Sequence, residues 1–323
     1  MFRNIMIPLD GSSFAEAIIP LAAEIAGKSG ATLHMVLVHR NLDAERAGDM
    51  SSIFLRDLED QALAQEKSYL ADIAVKTRAT NGVRVSEKLL EGPVIQTLQR
   101  HVAANRIDLV TMTTHGRGGF QRAWLGSVTD ALVRSLPVPV LALHAQGPMA
   151  DWPLARHIRH VIAATDGSAI ADNAFRAALA VCAAMNARCT LVHAIAPPMP
   201  AYPAFVGETI AYTGADAGRM PTALLSMSRY DAMALEANVP LVTRVMVDAR
   251  PADAILRCAS EESADLIVLG THGRNPMARW LLGSVADKVI RGAAVPVLVC
   301  PAETVFPEPE IVANDQEEVA EIC

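Results

Sequence analysis

Aromatic side chains are scarce, with Phe, Tyr and Trp together making up 4% of the 323 residues. Few flat surfaces are left for stacking bases, which argues against a single-stranded nucleic-acid platform. Cysteine is absent from the first half. The five present (Cys182, Cys189, Cys258, Cys300, Cys323) form no Cys-x2-Cys pair and no Cys/His cluster. Neither a zinc site nor a disulfide framework is indicated, and a reduced, cytoplasmic setting is expected. Long apolar runs are missing too: the Ala-rich stretch Ala177–Met185 is too short to span a bilayer. Met1-Phe2-Arg3-Asn4 leads directly into a strand pattern without a leader, so no membrane partner is expected.

Several catalytic signatures are lacking as well. The chain contains no Gly-x4-Gly-Lys-[Ser/Thr], no Gly-x-Gly-x2-Gly after the first strand, no His-Glu-x2-His and no Gly-x-Ser-x-Gly. Basic runs are absent. Of 35 acidic residues, seven lie in residues 301–323, which hold no Lys or Arg; the remainder balances the 28 basic ones. A neutral body without a basic stripe gives no footprint for nucleic acid. Residues 302–323 read as an acidic, disordered tail.

What is present is a repeat. His115–Leu143 (HGRGGFQRAWLGSVTDALVRSLPVPVLAL) recurs 157 residues later as His272–Cys300 (HGRNPMARWLLGSVADKVIRGAAVPVLVC). Pro8-Leu-Asp-Gly-Ser12 answers Ala164-Thr-Asp-Gly-Ser168 at an offset of 156, Val38-His39 answers Val192-His193 at 154, and Asp108-Leu-Val110 answers Asp265-Leu-Ile267 at 157. A period this long means a duplicated domain. The boundaries read as 1–145, 156–301 and the tail, with a linker around Gln146–His157.

Each half alternates strand and helix patterns. In the first these are strands at Asn4–Leu9, Thr32–Val38, Val83–Leu90, Ile107–Thr113 and Val138–Leu143, and helices at Phe14–Lys28, Ile53–Thr77, Val94–Ala104 and Val128–Leu136. The order predicts an α/β fold, with a parallel sheet between helical layers and ligands at the carboxyl ends of the strands. Pro197–Pro221 interrupts the second half as an irregular loop, read as a surface excursion, an interdomain contact or a lid over that half's cleft.

Asp-Gly-Ser after the first strand and a glycine loop after the fourth both fall at that edge. In the second half the loop is Gly270-Thr-His-Gly273, nine residues, then Gly283-Ser284. Glycines let successive N–H groups converge on one anion, and a helix opening at Gly283-Ser284 adds its dipole. Arg274 and Arg279 lie inside the span. The competing reading is plain capping: Ser127-Val-Thr-Asp130 and Ser284-Val-Ala-Asp287 have the form of capping boxes, which need no ligand.

The whole pattern resembles the universal stress protein family, whose ATP-binding members carry Gly-x2-Gly-x9-Gly-[Ser/Thr] after the fourth strand and an Asp after the first. The likeness runs through residues 1–145 and 156–301. It implies two Rossmann-like, adenine nucleotide α-hydrolase-like three-layer domains, each with a five-stranded parallel sheet. It also implies ATP, with or without Mg2+, across the carboxyl edge, and pairing through the last strands Val138–Leu143 and Val295–Cys300. A further homodimer is compatible with it. Carried over by position, Asp166 meets the adenine or ribose end, Ala194 lies against the base and Leu269 lines the pocket. Gly270, His272, Gly273, Arg274, Gly283, Ser284 and Val285 surround the phosphates, with His272 supplying backbone and packing.

The first half departs from the pattern. Thr113 stands where the motif has Gly270, costing about 1–2 kcal/mol if the position needs left-handed dihedrals, and Arg40 matches Ala194. Asp10, Gly116, Gly126 and Ser127 remain, so a weaker second site or a structural partner is expected. With no positioned base or metal carboxylates, the resemblance implies an ATP-binding sensor or regulator in stress responses with little or no turnover. A slow ATPase or self-phosphorylating protein, and a nucleotide-free or chaperone-like scaffold, are the alternatives.

Overall fold

A computed structural model describes residues 2–40, 52–114, 125–144, 157–195, 219–271 and 282–302. The expected linker up to residue 156, most of the Pro-rich loop, the tail beyond Ala302 and the glycine-loop residues His115, Gly116, His272, Gly273, Arg274 and Arg279 lie outside them.

The first half contains β1 (Asn4–Leu9), α1 (Ser13–Glu16), α2 (Ile19–Ser29), β2 (Thr32–His39), α3 (Ser52–Asn81), β3 (Arg84–Glu91), α4 (Val94–Ala104), β4 (Leu109–Thr113), α5 (Ser127–Ser135) and β5 (Val140–Leu143). The second contains β6 (His160–Thr165), α6 (Ala169–Met185), β7 (Arg188–Ile195), α7 (Arg219–Glu236), β8 (Leu241–Val247), α8 (Pro251–Glu261), β9 (Leu266–Gly270), α9 (Ser284–Gly292) and β10 (Val297–Cys300). The helix expected at 14–28 is broken because Pro20 has no N–H to continue it; the second piece starts afresh with proline in its first turn. The irregular loop ends sooner than expected, since α7 already begins at Arg219.

The strands form one ten-stranded sheet in the order β3-β2-β1-β4-β5-β10-β9-β6-β7-β8. All neighbours within a half are parallel. The halves meet where β5 and β10 run antiparallel, with Val297 opposite Ala142, Leu298 opposite Leu141 and Val299 opposite Val140. The pairing expected between the last strands is the one observed.

Side chains alternate across this sheet, as the two-residue period requires. On one face Leu141, Leu143, Leu298 and Cys300 join a core with residues of α2 and α6. On the other, Val140, Ala142, Val297 and Val299 join residues of α4, α5, α8 and α9. Both cores cross the seam. Near it, Arg134 is bonded to Asp130, Arg291 to Asp287, and Arg134 reaches Asp287 of the other half at 3.9 Å.

Candidate functional site

The Asp-Gly-Ser turns are built alike in both halves. Gly11 and Gly167 have φ of 80° and 81°, a left-handed conformation that a Cβ would strain. Ser12 and Ser168 cap α1 and α6 by accepting from the N–H of Ala15 and Ala171. Asp10 Oδ1 accepts from Ser12 N–H at 3.0 Å and its hydroxyl at 2.6 Å; Asp166 Oδ1 accepts from Ser168 N–H at 3.0 Å. Each aspartate therefore shapes its own turn, whatever else it binds.

The glycine-serine helix starts differ from the capping boxes of the competing reading. Gly126 and Gly283, not the serines, occupy the N-cap positions of α5 and α9, and neither helix has a side-chain cap. Asp130 and Asp287 turn to Arg134 and Arg291 one helical turn on instead of reaching back. Gly126 and Gly283 donate to the carbonyls of Thr114 and Thr271 at 2.6 and 2.7 Å, which holds the helix start against the end of the fourth strand. In α9 the N–H groups of Ser284, Val285 and Ala286 have no acceptor within the helix. Ser284 is exposed and Val285 half-buried. An uncapped helix start with a positive dipole end accepts a polyanion.

The elements converge at the carboxyl edge. β6 runs beside β9 with Ala163 opposite Val268, so Asp166 emerges next to Gly270 and Thr271. Leu269 is buried in the α8/α9 core, and Ala194 is half-buried near the end of β7, opposite Met246. Of the second-half residues expected at the site, Asp166, Ala194, Leu269, Gly270, Gly283, Ser284 and Val285 lie on or beside that edge.

Both reasons for discounting the first half are overturned. Positive φ among non-glycine residues occurs only at Arg106, Asn186, Asn238 and Ser263 of the described residues, and Gly270 is not among the positive-φ glycines. Thr113 and Gly270 end β4 and β9 as strand residues, so no left-handed strain falls on the threonine. Arg40 is out of register. β1 sets Leu9 opposite Leu37, and β6 sets Thr165 opposite His193. Counting one further, Val38 rather than Arg40 takes the place of Ala194. The His39–His193 match in sequence is therefore two residues off in space. Arg40 lies exposed just beyond β2, while Val38 packs against the α4/α5 core.

Sequence reasoning also missed a support for the second-half turn. From α7, Arg229 donates to the Gly167 carbonyl at 3.1 Å and pairs with Asp172 at 2.7 Å. The fully buried Tyr230 hydroxyl meets Asp172 at 2.6 Å and Thr165 at 2.8 Å, and burial pushes its pKa up. In the first half Tyr69 reaches Glu16 at 3.1 Å. The only available signal was the rarity of tyrosine: two of four fall on the long helix before the third strand of a half. No grouping of three His, Cys, Asp or Glu suited to a metal occurs among the described residues. No helix among them is long and apolar enough to cross a membrane.

The family model for "Universal stress protein family" matches residues 1–144 and again 157–301. A universal stress protein of Mycobacterium tuberculosis is 32% identical over 199 residues, covering 61% of this chain and 62% of that protein. The match spans under two thirds of that relative's length. A universal stress protein of Thermus aquaticus is 38% identical over 139 residues, 43% of this chain and 96% of that one. The crystal structure of a universal stress protein from Archaeoglobus fulgidus superposes with a TM-score of 0.66 at 19% identity, covering 92% of this chain and 96% of the other. That likeness speaks to the fold. With the duplicated α/β architecture and two matches that together span nearly all of the described chain, this chain belongs to the universal stress protein family.

Proposed function

We propose that the chain is an ATP-binding sensor or regulator with little or no turnover, its principal site lying in the second half. The observation that carries this is the uncapped start of α9 at Gly283-Ser284, held beside Gly270 and Asp166 at one sheet edge. The donor set suits a polyphosphate: backbone N–H groups of Ser284 and Val285 face anionic oxygens, and the small Gly270 allows close approach. Asp166 would take the ribose or base end, with Ala194 and Leu269 as apolar walls. His272, Gly273 and Arg274 complete the phosphate loop in this reading.

The first half supports a second site made from Asp10, Val38, Gly116, Gly126 and Ser127. The difference that remains is the Thr113 side chain in place of Gly270.

The test is mass spectrometry of small molecules released from purified protein, with stoichiometry, followed by thermal shift with ATP and Mg2+. One adenine nucleotide per chain, lost on Ser284→Pro and kept on Ser127→Pro, supports the proposal, since proline at the first helical position preserves the helix while removing one N–H. Two per chain means that both halves bind. No ligand and no shift at millimolar ATP would favour a nucleotide-free scaffold, and single-turnover product formation a slow enzyme.

A further inference from the structure

At the outer corner of the second half, toward the amino ends of its strands, one carboxylate organises its neighbours. Glu262, just past α8, accepts from the Thr190 hydroxyl at 2.8 Å and stands 3.3 Å from His160 Nε2. It also pairs with Arg244 of β8, and the Cys258 thiol lies 3.9 Å away. The glutamate side chain is 13% exposed. A carboxylate this enclosed is kept by its ion pair and hydrogen bonds.

Strand register identifies the same corner in the first half. β1 and β2 set Met6 opposite His34, as β6 and β7 set Ile162 opposite Thr190. β2 and β3 set Val36 opposite Lys88, as β7 and β8 set Val192 opposite Arg244. The helices α4 and α8 then match His101 with Cys258 and Asn105 with Glu262. The basic partner is thus preserved as Lys88, and the carboxylate is replaced by an amide.

The Asn105 amide does not fill that role. Its nitrogen donates back to its own helix, to the His101 carbonyl at 2.9 Å and to His101 Nδ1 at 3.2 Å. With Nδ1 accepting, the ring proton sits on Nε2. That Nε2 is buried without a hydrogen-bond partner, and His101 is 6% exposed. An unmet buried donor of this kind destabilises the fold until a partner reaches it. Lys88 forms no ion pair among the described residues, and Arg100 spends its bonds on the Thr97 hydroxyl and the Gln96 carbonyl. His34 packs edge-on against His101 at 6.1 Å, its Nε2 turned to Asn4. Beside this corner a cleft of about 270 Å³ is lined by Lys88, Glu91, Thr97, Arg100, His101 and Asn105, with Leu90 and Ala104 as apolar wall. Glu91 is its one acid, set against two permanent cations.

We propose that this cleft between β3 and α4 binds a small carboxylate anion, which supplies from outside the group that Glu262 supplies within the second half. Its carboxylate accepts from His101 Nε2–H and pairs with Lys88, and its remaining atoms lie toward Arg100 and Thr97. The cleft has room for a compact acid of several heavy atoms. Burial lowers the pKa of both His34 and His101; the Asp108 carboxylate partly offsets this at His34, while the His34 imidazole and Lys88 lower that of His101 further. The cleft lies along the outer strand β3, two strands away from β1 and Asp10, and contains none of the residues of the nucleotide reading.

The probes are sodium acetate and sodium succinate, titrated at pH 7 and constant ionic strength into the full chain labelled with ¹⁵N-histidine. Long-range ¹H–¹⁵N spectra follow the imidazoles. A saturable shift at His101 and His34, absent with chloride, is expected. Exposed Lys88→Met should weaken binding about two- to fivefold, the scale of one solvent-exposed ion pair. Asn105→Glu should abolish it by restoring an internal carboxylate. No saturable shift, a shift equal to that with chloride, or unchanged affinity in both variants would overturn the proposal. So would saturation by inorganic phosphate alone.

Discussion

Replacing Leu141 by Ala should destabilise both halves of the molecule, although the change lies in the first. Leu141 and Leu298 are 1% and 2% exposed and face each other across the β5–β10 seam, in a core layer shared by both halves. Removing a buried leucine side chain costs about 2–5 kcal/mol, because surrounding atoms only partly close the cavity. With a urea dependence of about 1–3 kcal/mol per M, the unfolding midpoint should fall by about 1–2 M. Hydrogen exchange read by mass spectrometry separates the halves. The seam predicts lower protection in β9 and β10 as well as in β4 and β5. Leu298→Ala should mirror the effect, and the double variant should cost less than the sum, since both changes open one cavity. Unchanged protection in the second half, or additive costs, would refute the shared core.

Gly167→Ala should cost about 1–2 kcal/mol through its φ of 81°, seen as a lower melting temperature without loss of secondary structure. Acid should weaken the fold from the ordinary imidazole pKa of 6.5 downward. His34, His101 and His160 have lowered folded pKa values, chiefly from burial, so the unfolded chain takes up protons first and stability is full only above that pH. Thermal melts between pH 7.5 and 5.5 should show the decline, and His101→Gln should flatten it. The buried thiols should resist a disulfide reagent at pH 8, because burial pushes Cys258 to about 11 and Cys300 higher still. Peptide mapping before and after denaturation checks this, and rapid native labelling of either would contradict it.

Much of the architecture was legible in the chain. β1 and α4 fall on the residues that apolar periodicity assigned, and the constant offset near 157 exposed the duplication. What was not legible depends on three-dimensional register. A repeated Val-His dipeptide aligned His39 with His193, yet the pairing of β2 with β1 places them two residues apart. A two-residue slip keeps the same face of a strand, so hydrophobic pattern alone does not detect it. The competing capping-box reading is not realised: glycine holds both N-caps, and Asp130 and Asp287 bind arginines one turn on. The Arg229–Tyr230 support was hidden because it joins residues far apart in sequence.

The antiparallel seam has a consequence for how such a molecule can change. Two like subunits separate on dilution and must carry identical surfaces, because one gene writes both. Here the mates are tethered, so dilution does not part them, and each is encoded separately. A substitution that ruins one copy's ligand chemistry can persist as long as its strand edge still fits the other. The differing corners at Asn105 and Glu262 fit that freedom, and the shared sheet now ends at the outer strands β3 and β8.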